Sequence, residues 1–161
     1  MIKMILCTDL HGAIGYKNDL IYTMREDLQN FKRLTTGHKI IMGYNTWESL
    51  PKKPLPNREN IILTSRNIDI DGVTVVRDIE SIIEMSKHED VFVIGGAQLY
   101  NEMIERDLLD EVYLTMVLKS AELADRYVNI FKMSTNLQKR EFVQEFRTDS
   151  LVAHLYKYSR M

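Results

Sequence analysis

Residues 60–64, 73–76 and 91–94 are short apolar runs with almost no polar alternation, and a strand of that kind belongs in a sheet covered on both faces. Residues 2–8 read as a further buried strand, residues 39–42 as a short one closed by Gly43, and residues 111–118 as another. Segments of helical period separate them. Residues 24–35 carry Met24, Leu28, Phe31 and Leu34 at three- and four-residue spacing, which predicts one buried stripe. Thr23-Met24-Arg25-Glu26 has the form of a capping box, and Gly37 ends that helix. Asn45 is the expected N-cap of a short helix reaching Leu50. Residues 78–87 form a helix with Ile79, Ile82, Ile83 and Met85 inward, and residues 97–106 form another.

Strands alternating with helices imply an α/β fold, a mainly parallel sheet with helices on both faces. The tail changes character. Residues 139–147 and 151–158 alternate and turn at Thr148-Asp149-Ser150, which predicts an antiparallel C-terminal hairpin. Residues 9–22, punctuated by Gly12, Gly15 and Asn18-Asp19, read as a long loop, and long ordered loops are often functional. Pro51, Pro54 and Pro56-Asn57 mark a second loop. No internal repeat or interior linker divides the chain, so residues 1–161 are expected to form one domain.

Composition narrows the function classes. With 45% hydrophobic and 27% charged residues the chain is an ordinary soluble globular sequence. Its formal net charge of −2 argues against a dedicated nucleic-acid or anionic-membrane binder. Cys7 is alone, so an intrachain disulfide and a cysteine-rich metal site are both excluded, in keeping with a reducing, cytoplasmic compartment. The opening residues are interrupted by Lys3 and Asp9 and are too short for a signal sequence or membrane span. His11, His38, His88 and His154 show no metal-ligand spacing, and no serine sits in a nucleophile elbow. No metal is expected.

Four places carry candidate chemistry. Asp27 shares a helix face with Met24, Phe31 and Leu34, where a carboxylate is costly unless bonded or used; alternatively it complements the helix N-terminus together with Glu26. The run Val91 to Tyr100 takes a buried strand through Gly95-Gly96 into a helix, letting backbone N–H groups approach a phosphate; it is not the G-x-G-x-x-G fingerprint. Thr64-Ser65-Arg66 and Arg77 stand after neighbouring strands, where hydroxyls and guanidinium groups suit a phosphate monoester or are simply solvated. Arg58 is either a fork for a substrate carboxylate or a surface charge.

Taken in order, these segments resemble dihydrofolate reductases over nearly the whole chain. The resemblance is carried by Ala13-Ile14-Gly15-Tyr16-Lys17-Asn18, Glu26-Asp27-Leu28-Gln29-Asn30-Phe31-Lys32, and Ile41-Met42-Gly43 with Thr46-Trp47-Glu48-Ser49-Leu50. It continues through Pro54-Leu55-Pro56-Asn57-Arg58, Asn60-Ile61-Ile62-Leu63-Thr64-Ser65-Arg66 and Val93-Ile94-Gly95-Gly96-Ala97-Gln98-Leu99-Tyr100. It implies an eight-stranded sheet with one antiparallel strand, and NADPH and 7,8-dihydrofolate meeting in a central cleft. The implied reaction is hydride transfer from nicotinamide to pterin with protonation of the adjacent ring nitrogen, a step of tetrahydrofolate biosynthesis and a target of antifolates.

By the same resemblance Asp27 falls on the active-site acid and Thr115 on the hydroxyl bonded to it. Ile5, Cys7, Leu20, Leu28, Phe31, Ser49, Leu55, Ile94 and Tyr100 fall in the substrate or nicotinamide pocket, and Arg58 on the arginine for the substrate α-carboxylate. Cys7 read from composition alone is a small core residue. The segment from Ala13, Ile14 and Gly15 through Asn18 to Leu20 resembles the mobile loop over the nicotinamide. Gly43 with Tyr44, Asn45 and Thr46 matches the first phosphate turn, and Gly95, Gly96, Ala97, Gln98, Leu99 and Tyr100 match the second, in which the family's paired glycines carry a cis peptide bond. Leu63, Thr64, Ser65, Arg66 and Arg77 match the adenosine side, with its 2′-phosphate pocket.

The chain departs from the family pattern in three places. Tyr44 and Asn45 stand where a basic residue and a histidine are frequent, which leaves Arg66 with Arg77 to compensate in part. Ile21-Tyr22 replaces a Pro-Trp pair whose tryptophan helps organise a water near the acid, a task left to the Tyr22 hydroxyl. Ala124-Asp125-Arg126 replaces a Gly-Asp-Thr turn and bears on loop closure. Two rival readings are a non-catalytic NADPH-binding or assembly protein that kept the fold, and a pyrimidine reductase, which should lack the set Asp27, Phe31, Leu55 and Arg58. A monomer acting on a small molecule is expected.

Overall fold

The computed structural model describes residues 1–17 and 19–161. In chain order the first half runs β1 (Ile2–Thr8), β2 (Ala13–Tyr16), β3 (Asp19–Leu20), α1 (Arg25–Thr35), β4 (Lys39–Gly43), α2 (Tyr44–Ser49), β5 (Glu59–Leu63) and β6 (Val73–Val76). The second half runs α3 (Ile79–Ser86), β7 (Val91–Gly95), α4 (Ala97–Glu105), β8 (Glu111–Val117), β9 (Arg126–Tyr127), α5 (Ile130–Asn136), β10 (Lys139–Arg147) and β11 (Val152–Ser159). The main sheet has eight strands in the order β10-β11-β8-β1-β7-β4-β5-β6. β1 is parallel to β7 and β8, and β4 is parallel to β5 and β7; β11 alone runs against its neighbours β8 and β10. The expected mainly parallel sheet with an antiparallel C-terminal hairpin is therefore present.

Successive residues of the inner strands point to opposite faces, and both faces are covered. Met4, Leu6, Ile41, Ile61, Val91 and Val93 pack with Ile79 and Ile82 of α3, Leu99 and Met103 of α4 and Met133 of α5. Their neighbours Ile5, Ile40, Met42, Ile62 and Phe92 pack on the other side with Trp47 of α2 and with Phe31 and Leu34 of α1. A third cluster joins Met24 to Val117, Phe146, Ala153 and Leu155. Each fully buried Ile or Met contributes about 1.5–3 kcal/mol. Among the described residues no helix is long and apolar enough to cross a membrane.

Several expectations are corrected. α1 begins at Arg25 with Met24 as N-cap and no side-chain cap bond, so Thr23 and Glu26 form no capping box. Buried Met24 fixes the chain entry instead, and its carbonyl accepts from Leu28 N–H at 3.0 Å. The apolar stripe of α1 is only partly covered. Met24 is buried and Phe31 and Leu34 are half-buried, whereas Leu28 is 49% exposed, because its flank of the helix lies outside the core clusters. α2 is capped by Gly43 rather than Asn45, which lies inside the helix, because β4 turns directly into it. β6 is not buried on both faces but is the half-buried far edge. Residues 9–22 are not all loop: β2 and β3 join β9 in a three-stranded sheet, since only the fold brings residues 126–127 alongside. Between the strand expected at 111–118 and the terminal hairpin, a stretch assigned no element from sequence, α5 forms with Asn129 as its cap, whose Oδ1 accepts from Lys132 N–H.

Asp9 ties this small sheet to β1. The residue is 2% exposed, and its carboxylate accepts from His11 and Ala13 N–H at 2.8 and 2.9 Å and from Ala121 N–H at 2.9 Å. Burial pushes its carboxyl pKa up, but the backbone donors of Ala121, Ala13 and His11 outweigh that and hold it below the ordinary value. A depressed pKa stabilises the fold above the unfolded value, about 3.9, and the contribution fades as pH falls through the folded value. Asp9→Ala is therefore expected to lose about 2–4 kcal/mol in urea unfolding at pH 7. The deficit should shrink as pH falls below 4 in the same titration, about the range where the wild-type carboxylate protonates.

Candidate active site

Parallel strands end together, and ligands of open α/β sheets bind beyond those carboxyl ends. Here the ends form a row. Cys7 pairs in register with Thr115, Met42 with Gly95, Gly43 with Leu63, and Leu63 with Val76. Residues that would otherwise be distant thus share one rim.

At one end of the row α1 leans on β8. Thr115, itself 2% exposed, donates its hydroxyl to Asp27 Oδ1 at 2.6 Å. Burial raises the Asp27 carboxyl pKa, and the Thr115 hydrogen bond offsets only part of that. Asp27 and Glu26 also lie in the first turn of α1, where acids are favourable, but Glu26 is exposed and Asp27 is not. The Cys7 thiol lies close enough that burial and then the Asp27 charge push its pKa up, so it stays protonated. Tyr100 is buried and donates to Ile5 O at 2.8 Å, anchoring α4 to β1 beneath the same site.

Ile5, Phe31, Leu55 and Ile94 belong to one apolar cluster. Leu55 is held by Asn60, which accepts from its N–H at 2.9 Å and donates to its carbonyl at 2.9 Å. Arg58 lies with its guanidinium carbon 5.9 Å from the Phe31 ring centre. Its Nε donates to Pro56 O at 2.9 Å and its Nη1 to Thr35 Oγ1 at 3.1 Å. Among the described residues it pairs with no carboxylate, which leaves its charge for an incoming anion. Leu20 and Leu28 are exposed, and Ser49, also exposed, donates to Thr46 O at 2.8 Å.

The middle of the row, where β7 meets β4, is built for close backbone approach. Gly95-Gly96 is a cis peptide, and Gly95 has φ +149°. A Cβ on Gly95 would stand 3.0 Å from Thr46 Oγ1 and one on Gly96 3.2 Å, so side chains are excluded where α2 meets α4. Ala97 and Gln98 open α4 at the rim, while Leu99 turns into the core. Past β5, Thr64 N–H donates to Val76 O at 3.0 Å and Thr64 Oγ1 accepts from Arg66 N–H at 3.1 Å. Arg77 donates to Arg66 O, so the two arginines after neighbouring strands are drawn together with Ser65 exposed between them and Thr64.

Ala13, Ile14 and Gly15 are buried in β2, and the expectation for Asn18 lies outside the described residues. The segment is tied down: Lys17 N–H donates to Asp125 Oδ2 at 3.0 Å, and Asp125 N–H donates to Gly15 O at 2.9 Å. Tyr22 is half-buried, and its phenol pKa is raised by burial and then by Asp9, Glu122 and Cys7; among the described residues no hydrogen bond joins it to Asp27. Sequence reasoning passed over Asp9 and Asn60 as positioning groups. The signal for both was a polar residue abutting an apolar run, which is equally common at surface strand ends. Among the described residues no group of three metal-ligating side chains occurs.

Comparison with known proteins agrees with this geometry. The family model for dihydrofolate reductase matches residues 1–160. The dihydrofolate reductase of Ureaplasma parvum serovar 3 is 35% identical over 148 residues, covering 91% of this chain and 93% of that protein. That of Staphylococcus aureus is 39% identical over 117 residues, covering 72% and 70%. The solved structure of dihydrofolate reductase from Enterococcus faecalis, complexed with NADP(H) and RAB-propyl, aligns with a TM-score of 0.82 at 26% identity, covering 99% of this chain and 96% of that one. With its rim of strand ends, its half-buried, hydrogen-bonded acid and a match over almost its full length, the chain belongs to the dihydrofolate reductase family.

Proposed function

We infer that the rim from Asp27 to Arg66 is where this chain performs its family's reaction, the NADPH-dependent reduction of 7,8-dihydrofolate to 5,6,7,8-tetrahydrofolate. The observation that carries the placement is the half-buried carboxylate of Asp27 bonded to Thr115 at 2.6 Å. The residues present fit the cofactor: the glycine pair brings the backbone close against Thr46 with no side chain between, and Arg66 and Arg77 carry no carboxylate partner among the described residues. Bound NADPH supplies the hydride.

The chain's own groups do the rest. Asp27 receives the amidine-like edge of the pterin in charge-assisted hydrogen bonds, and its ionised form stabilises the positive charge that develops as the ring nitrogen gains its proton. Thr115 fixes the carboxylate's orientation. Ile5, Phe31, Leu55 and Ile94 supply the apolar wall, and Arg58 takes the substrate carboxylate. The segment from Ala13 to Leu20 keeps water from the reacting rings, with Asp9 and Asp125 as its anchors. Asp27, Phe31, Leu55 and Arg58 stand together, so neither the pyrimidine-reductase nor the non-catalytic reading is favoured. The same inference takes residues 1–161 as one cytoplasmic domain acting as a monomer, without nucleic acid or membrane. The net charge of −2, the single cysteine and the core shared by α3, α4 and α5 support it.

Asp27→Asn is expected to lower turnover of dihydrofolate at least about 100-fold near neutral pH while NADPH still binds. Loss of NADPH absorbance and a separate cofactor titration measure the two effects, and normal turnover would remove Asp27 from its role. In the wild type the hydride-transfer rate should fall as pH rises and the ring nitrogen loses its proton, and Asp27→Asn, lacking the carboxylate charge that favours that proton, should show the fall at lower pH. In the variant, stability should move oppositely to activity. A raised folded pKa favours the fold below the unfolded value, and that advantage is lost as pH rises through the folded one. The ligand-free Asp27→Asn protein should therefore unfold at no lower urea concentration than wild type at pH 7, and a clearly lower midpoint would contradict the desolvated state of this acid.

A further inference from the structure

Tyr44 occupies a position at which a cation would serve the cofactor directly, yet its own hydroxyl points away to Glu48. Its ring carries the Arg66 guanidinium, whose carbon lies 4.5 Å from the ring centre. The Tyr44 hydroxyl donates to Glu48 Oε1 at 2.9 Å, one turn along α2, and Lys53 Nζ stands 3.4 Å from Glu48 Oε2. The backbone of Arg66 is fixed independently, its N–H by Thr64 Oγ1 and its carbonyl by Arg77.

We propose that Tyr44 is a positioning residue for cofactor specificity: it holds Arg66 by stacking so that the guanidinium edge meets the 2′-phosphate of NADPH. Stacking occupies the flat face of a guanidinium and leaves its in-plane N–H donors free, whereas a carboxylate partner consumes both charge and donors. Arg66 has no carboxylate partner among the described residues, although Glu48 is near enough to feel its charge. The Tyr44 hydroxyl and Lys53 engage Glu48 and keep it from neutralising Arg66. A long, exposed arginine would otherwise lose side-chain entropy on meeting a phosphate, and the aromatic surface removes part of that cost beforehand. The departure at position 44 therefore replaces a direct cation by a platform for one supplied from the end of β5.

This proposal rests on the reading of the Thr64–Arg66 turn as the 2′-phosphate pocket, and the test separates the two. The quantity measured is the NADH dissociation constant divided by that for NADPH, from equilibrium titration of each cofactor, with the ratio of kcat/KM for the two donors beside it, for the wild type, Tyr44→Phe, Tyr44→Leu, Arg66→Gln and the double variant Tyr44→Leu/Arg66→Gln. Tyr44→Leu is expected to lower the ratio about two- to fivefold, the size of an exposed cation–aromatic contact. Tyr44→Phe, which keeps the ring, should keep most of the ratio, and Tyr44→Leu should lower it no further once Arg66 is glutamine. An equal drop for Tyr44→Leu in both backgrounds, or a phenylalanine variant as impaired as leucine, would overturn the positioning role while leaving the pocket in place. An unchanged ratio in Arg66→Gln alone would remove the pocket reading and the proposal with it.

Discussion

Met4, Ile40, Ile41, Ile61, Ile62, Val91 and Val93 lie in the sheet with essentially no exposed surface, and that two-sided burial determines where everything polar must go. A strand covered above and below offers no face to a ligand, so only its ends remain. Because β1, β4, β5, β7 and β8 are parallel, their carboxyl ends coincide. Cys7, Thr115, Gly43, Gly95 and Leu63 are neighbours on one rim for that reason, although more than a hundred residues separate the first two in sequence.

Buried Asp9 and half-buried Asp27 show how environment shifts one side chain in opposite directions. Asp9 is surrounded by backbone donors, stays ionised, and pins the small β2-β3-β9 sheet to β1. Asp27 has a single hydroxyl partner and an apolar surround, so burial wins and its pKa rises. The first arrangement favours stability; the second disfavours the charged form of the carboxyl, and that costs stability where it is ionised. The arginines divide similarly. Arg160 pairs with Asp107, whereas Arg58 rests on Phe31 and Arg66 on Tyr44, which leaves their charges for anions.

The strands and helices with strong patterns were legible in the chain: β7 and its glycine pair, α3 and the terminal hairpin all stand within a residue or two of their expected places. Elements without a pattern of their own were not. β3 and β9 are two residues each, and they exist only because the chain brings Gly15 to both Leu20 and Arg126. The capping box at Thr23 was a sound local reading that tertiary packing overrode through Met24. Leu28 is a similar case: its helical spacing says apolar face, but only the fold decides that its flank of the helix lies outside the core.

By itself the sequence determined the α/β class, the parallel sheet and the ordered motifs of the family, since each is written in local periodicity or in residues close together in the chain. What the tertiary structure decided is contact between distant segments. Thr115 meets Asp27, Asn60 clasps Leu55, Asp125 ties Lys17, and Arg66 settles on Tyr44. Hydrogen bonds and stacking act over a few ångströms in space irrespective of separation along the chain, so those pairings follow from the register of the strands and from nothing shorter.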